Sequence, residues 1–164
     1  LSVLDDYHDY KGLENLLTAM DRLSPGYNLV VGGDGSKREY YEQKATKLSV
    51  DSQVTFAGYV PDEHLPEYYS AADAFVLPST SGEQEGFGRV LLEALPCETP
   101  VVTTDVVGVA EHVIEEPLGT VISESTPDRI ADAVASITSG ETAIDASQGR
   151  VLCVDQYSSE EIAG

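Results

Sequence analysis

The sequence predicts an α/β fold built on a parallel sheet. Short apolar runs of β character alternate with amphipathic stretches along most of the chain. Several of those runs halt at glycine or proline. The 164 residues, 41% of them hydrophobic, suffice for one domain with a substantial core. Strands alternating with helices of ten or more residues imply right-handed βαβ units.

The elements follow in order. "LSVL" (1–4) has strand character, and "KGLENLLTAMDRL" (11–23) places apolar residues at 13, 16, 17, 20 and 23, a helical period. "NLVVGG" is a buried strand ending in glycines, with the helix "SKREYYEQKATKLS" after it. "SQVTFAG" is a strand, and "PDEHLPEYYSA" is a short helix opened by Pro61 and Asp62. "ADAFVLP" is a strand halted by Pro78, "FGRVLLEALP" a helix, "PVVTT" a strand, "GVAEHVI" a short helix and "GTVIS" a strand. "TPDRIADAVASIT" is a helix with Thr126 as N-cap and Pro127 in its first turn. Ligands of parallel sheets bind beyond the carboxyl ends of the strands, which places the working edge in the loops after residues 4, 33, 58, 78 and 104.

Composition narrows the function classes. There are 29 Asp and Glu against 9 Lys and Arg, a net charge of −20. A phosphate backbone is held by clustered cations, so nucleic acid is excluded as a partner. The acids are dispersed ("DDYHD", "PDEH", "SGEQE", "VIEEP", "SSEE"), a halophilic pattern: the solvated surface expected at high internal salt. Cys97 and Cys153 lack metal spacing and fit buried, reduced thiols of a cytoplasmic protein. His8, His64 and His112 form no pair at ligand spacing, so no metal site is expected. No run approaches the ~18 apolar residues of a membrane span, and no leader is recognisable. The chain opens inside an apolar run and closes on "YSSEEIAG", the beginning of a helix; a fragment is expected, missing its upstream part and extending downstream.

Three stretches carry candidate chemistry. In "GGDGSKRE", Gly33 and Gly35 bring backbone close to a ligand at a helix start; Arg38 stands where a dinucleotide fingerprint needs its third glycine. Lys11 precedes Gly12 at the first helix, where a cation opposes the helix dipole unless an anion lies between. In "EGFGRVLLE", Gly86 and Gly88 would bare amides to a phosphate, and Glu93 lies about 12 Å beyond Glu85 at the helical rise. Glu93 sits among Leu91, Leu92, Ala94 and Leu95, where a purely structural helix has little use for a charge. Carboxylates accept from hydroxyls and repel phosphates. Two acids flanking bare amides therefore suit a nucleotide-sugar.

These blocks resemble retaining glycosyltransferases of family 4 (glycosyl transferases group 1). The likeness runs through "DYKGLENLLTAM", "LVVGGDG", "VTFAGYVPDEHLPEYYSAADAFVLPS", "EGFGRVLLEA", "PVVTTDVVGVAEHV" and "LGTVI", in the family's order. It implies a Rossmann-like three-layer domain, the C-terminal, donor-binding half of a GT-B enzyme, covering residues 1–164. The N-terminal acceptor domain, its own partner, is absent from this chain. By position, Glu85 resembles the acid beside the reacting centre and Lys11 the lysine neutralising the leaving diphosphate. Phe87, Gly88 and Arg89 would offer amides to the donor, Glu93 would hold the ribose, and the backbone at Tyr59 and Val60 would frame the base. The donor would be a UDP- or GDP-hexose used without a cofactor or essential metal. The acceptor would be a glycan or lipid, met at the inner face of a membrane.

The sequence departs from that family at three points. Asp6 stands near the usual second phosphate cation, an arginine about five residues before the lysine, and Arg89 is the candidate replacement. Glu98 stands where glycine is usual and is expected at positive φ. Val107 replaces the first glycine of a pair. These departures leave a non-catalytic nucleotide-sugar-binding domain as the alternative; a dehydrogenase is disfavoured by the incomplete glycine motif. From the acidic surface, the protein is expected to lose structure in dilute buffer and regain it in molar KCl, where the Debye length falls to ~3 Å. A melting curve unmoved by salt would contradict this.

Overall fold

The computed structural model describes residues 1–156; the helix expected to begin in "YSSEEIAG" lies outside them. Five strands alternate with helices: α1 (Leu13–Met20), β1 (Leu29–Gly32), α2 (Arg38–Lys47), β2 (Val54–Gly58), α3 (Leu65–Ser70), β3 (Phe75–Leu77), α4 (Gly82–Glu85), α5 (Arg89–Ala94), β4 (Val101–Thr104), α6 (Ala110–Glu115), β5 (Gly119–Ile122), α7 (Pro127–Thr138) and α8 (Ser147–Gln156). All strand pairings within these sheets are parallel, as the alternation requires.

The strands form two sheets rather than the single one expected. β1 pairs with β2, Leu29 opposite Val54, while β4 lies between β3 and β5, with Val101 opposite both Phe75 and Gly119. Between β1 and β3 lies an apolar cavity of about 970 Å³, lined by Leu1, Leu29, Val31, Phe75 and Leu77 among others. "LSVL" is extended beside β1 without becoming a strand. Ser2 N–H donates to the Gly32 carbonyl at 2.9 Å and Leu4 N–H to Asp34 at 3.0 Å, but the Leu4 carbonyl accepts from Lys37 N–H, just before α2.

Helices cover both faces, giving three layers. On β4, Val101 packs with Leu91, Leu95 and Val113 of one face, whereas Val102 packs with Leu16 and Ile130 of the other, the period-two alternation of a strand. α1 ties the sheets together. Its Leu16 and Ala19 meet Ile130 and Val134 of α7, and its Leu17 and Met20 meet Val31, Tyr41 and Ala45 on the β1 side. α7 begins as expected: the Thr126 hydroxyl accepts from Arg129 N–H at 3.4 Å, and Pro127 occupies the first turn.

Three features were not anticipated. Asp6–Lys11 forms a 3-10 turn capped by the Asp5 carboxylate. α4 is a helical turn where a glycine loop was expected, and α8 packs Leu152 into the core beside α5. Cys97 and Cys153, expected to be buried, are free and half-buried, each sulfur directed at a carbonyl of α5.

Glu98 adopts φ 59° and ψ 31°, the left-handed conformation expected from the resemblance, in which glycine is usual at this position. Its side chain is exposed, so the backbone carries the cost. Glu98→Gly is expected to stabilise the fold by about 1 kcal/mol, raising Tm by about 2–4 °C. A lowered Tm would show that the side chain matters more than the backbone.

Candidate functional site

A cleft of about 460 Å³ opens just past the carboxyl ends of β1 and β2, where ligands of parallel sheets bind. Lys11, Gly33, Val60 and Glu93, all singled out in the sequence, line it. His8, Asp34 and Tyr59 line it too. His8 escaped notice as a ligand contact because a lone histidine carries no motif. Each wall comes from a different segment: the turn before α1, the loops after β1 and β2, and α5.

Lys11 and Glu85, 74 residues apart, meet face to face. The Lys11 Nζ lies 3.3 Å from each Glu85 carboxylate oxygen. The two side chains retain 15% and 4% of their exposure, so water screens the pair weakly. Ser79, fully buried at the end of β3, donates its hydroxyl to Glu85 Oε2 at 2.9 Å. Burial, with the Glu85 charge second, raises the pKa of the neighbouring Tyr10 hydroxyl. The cation before α1 thus has its anion, which resolves the dipole conflict seen in the sequence.

Glu93 lies on α5 and Glu85 on α4, separated by the Gly86–Gly88 turn, so the single-helix rise does not describe their spacing. Leu91, Leu92, Ala94 and Leu95 are buried around Glu93, whose own residue is exposed. Tyr69, 2% exposed in α3, donates its hydroxyl to Glu93 Oε2 at 2.8 Å. Burial first, then the Glu93 charge, pushes the Tyr69 hydroxyl well above the usual tyrosine range, so it stays a donor. The Tyr69 carbonyl in turn accepts from the buried Thr99 hydroxyl at 2.7 Å. One Glu93 oxygen is thereby tethered on the core side.

Gly35, Glu85, Gly86, Phe87, Gly88 and Arg89, also expected at the site, lie outside this wall. Gly33 and Gly35 are glycines first for packing: an added Cβ would fall 1.7 Å from the Ser2 carbonyl oxygen or 2.3 Å from that of Leu4. Gly86 does not bare its amide; it donates to Gly82 at 2.9 Å and closes α4. The Gly86 and Phe87 carbonyls accept from Gly108 and Val109, fastening the turn to the loop after β4. Val107, 2% exposed, packs so closely that a Cβ on Gly88 would come within 2.3 Å of its Cγ1. Phe87 is partly exposed, and Arg89 is exposed at the start of α5, outside the cleft wall. Among the described residues, no group of three metal-ligating side chains is gathered.

Lys11→Met would leave the nearly buried Glu85 carboxylate with the Ser79 hydroxyl and no cation. This should cost about 3 kcal/mol in urea unfolding, most of it recovered by adding Glu85→Gln. Purely additive losses would show that the pair is not coupled.

The family model for glycosyl transferases group 1 matches residues 3–149. An uncharacterized glycosyltransferase of Methanocaldococcus jannaschii is 37% identical over 131 residues, covering 79% of this chain and 33% of the relative. A GDP-mannose-dependent phosphatidylinositol monomannoside mannosyltransferase of Mycobacterium tuberculosis is 36% identical, covering 77% and 35%. Among solved structures, Anabaena HepE in complex with UDP superposes with TM-score 0.84 and 25% identity, over 99% of this chain and 46% of that one. The chain spans about a third of the length of these curated relatives. Its architecture is the Rossmann-like one of GT-B glycosyltransferases. By the family match across nearly its whole length, the chain belongs to the glycosyl transferases group 1 family.

Proposed function

We propose that this chain is the donor-binding half of a retaining glycosyltransferase that moves a hexose from a nucleoside-diphosphate sugar to a glycan or lipid acceptor. The observation that carries the reading is the convergence of Lys11, Gly33, Val60 and Glu93 on one cleft, with Glu85 held against Lys11. Lys11 supplies positive charge to the departing diphosphate. Glu85, on that ammonium, lies beside the sugar and faces the positive charge that develops at its anomeric carbon. Glu93, with one oxygen tethered by Tyr69, accepts from the ribose hydroxyls, and the backbone at Val60 borders the base.

Fixed charge aimed where charge develops is the largest catalytic contribution an enzyme of this kind can make, and it requires no metal. HepE, a structural neighbour, has been solved with UDP and with UDP-glucose, and the mycobacterial relative is GDP-mannose-dependent. Both support a nucleotide-sugar ligand. Retention of configuration and the acceptor domain follow from the family resemblance, as does a cytoplasmic site at the inner membrane face. No helix among the described residues is long and apolar enough to cross a membrane. The retained Lys11–Glu85 pair supports a catalytic domain over a non-catalytic binding module.

The test is transfer or slow hydrolysis of UDP-glucose and GDP-mannose by the complete gene product. Glu85→Gln should lower kcat at least about 100-fold, whereas Glu93→Ala should chiefly raise the donor KM. Activity should survive EDTA. Binding without turnover by the unaltered protein would establish the non-catalytic alternative.

A further inference from the structure

We propose that His8, as the imidazolium, is the second cation that binds the donor diphosphate, in place of the arginine replaced by Asp6. This rests on the nucleotide-sugar reading of the cleft and deepens it.

The cations near this edge are few, and their positions decide between them. Asp6 is 90% exposed and lies 3.6 Å from Lys37. Lys37 is held by Asp9, 2.6 Å from its carboxylate, a pairing that raises the lysine pKa; it is not part of the cleft wall. Arg38 is engaged by Glu42 and the Phe56 carbonyl. Arg89, the replacement suggested by the sequence, lies outside the wall. His8 lies inside it, in the same cleft as Lys11.

The imidazole is also oriented. A single Asp5 oxygen accepts from the His8 backbone N–H at 3.0 Å and lies 2.7 Å from its ring Nδ1. The Asp5 carboxyl is held below the usual range, first by this side-chain bond, so it remains an acceptor. With Nδ1–H committed to Asp5, Nε2 is the nitrogen left for a ligand. A neutral ring in that tautomer presents Nε2 as an acceptor, which repels phosphate oxygen. The protonated ring donates from both nitrogens at once. The charged side chains lining this space besides His8 are Lys11 at the end of the same turn, Asp34 after β1 and Glu93 on α5, and Asp5 lies against the ring outside the wall. The Tyr7 and Tyr10 rings flank the imidazole at 5.1 and 5.9 Å.

The diphosphate of a nucleotide-sugar, esterified at both ends, keeps its charge between pH 6 and 8, so a pH effect on its binding reports on the protein. Calorimetry at constant ionic strength with UDP-glucose and GDP-mannose should show binding about fivefold tighter at pH 6 than at pH 8. His8→Gln should weaken binding at pH 6 about tenfold and flatten the pH profile, leaving affinity for uridine or guanosine unchanged. His8→Arg should restore tight binding at both pH values, and Asp5→Ala, which frees the ring from its orienting carboxylate, should weaken binding at pH 6. Equal affinity and pH profile in His8→Gln and wild type would overturn the inference, as would a His8→Gln loss shared equally by the nucleosides. If the unaltered protein binds neither sugar-nucleotide nor free UDP or GDP, the donor-cleft reading falls, and this inference with it.

Discussion

The docking of the turn before α1 onto the end of β3 organises the functional edge. Thr80 N–H donates to the Tyr10 carbonyl at 2.7 Å, and one residue later Lys11 closes onto Glu85. The β1–β2 pair and the β3–β4–β5 sheet share no strand pairing, so these contacts and α1 hold the two halves in register. A cleft with walls from both halves can keep fixed charges in place only if that junction is rigid. The pairing of two nearly buried charges supplies rigidity at the cost of desolvating them, which is tolerable because each side chain has a partner.

The same economy runs through the rest of the site. Glu93 leans on Tyr69, and Tyr69 is in turn fixed by Thr99 and by its edge-on contact with Phe75 at 5.2 Å. The Gly86–Phe87 turn is clamped by the loop after β4, with Val107 filling the space against Gly88. Lys11 and Glu93, which face the cleft, are thus each held from behind by a buried or nearly buried group. Such support holds ligand-binding atoms before a ligand arrives and lowers the ordering cost of binding.

The acidic exterior is a separate design. Most carboxylates outside the cleft are exposed or in salt links between surface groups, such as Arg22 with Asp128 and Lys44 with Glu14. Pairs of this kind add little to stability and are screened by salt. Nine cations against 29 acids leave most carboxylates with no cation available to pair with. Packing therefore sets which fold forms, while ionic strength, by screening the repulsion among surface carboxylates, acts on how stable it is.

Local pattern determined the elements and the fold class. The helical period of residues 13–23, the Thr126–Pro127 start of α7 and the β-branched runs of β4 and β5 are one-dimensional signals; each marks an observed element, although α1 ends at Met20 and 21–23 form a turn. The positive φ of Glu98 was not such a signal; it was expected only from the family resemblance, in which glycine is usual at that position. The tertiary structure decided what depends on distance between remote segments: the Lys11–Glu85 contact across 74 residues, the Tyr69 tether on Glu93, and the place of His8 in the cleft wall. It also placed Arg89 and Gly35 outside that wall and turned the Gly86 amide back into α4. Residue spacing records which side chains share a helix face. It holds no record of which loops converge at the end of a sheet, because that follows from packing many elements at once.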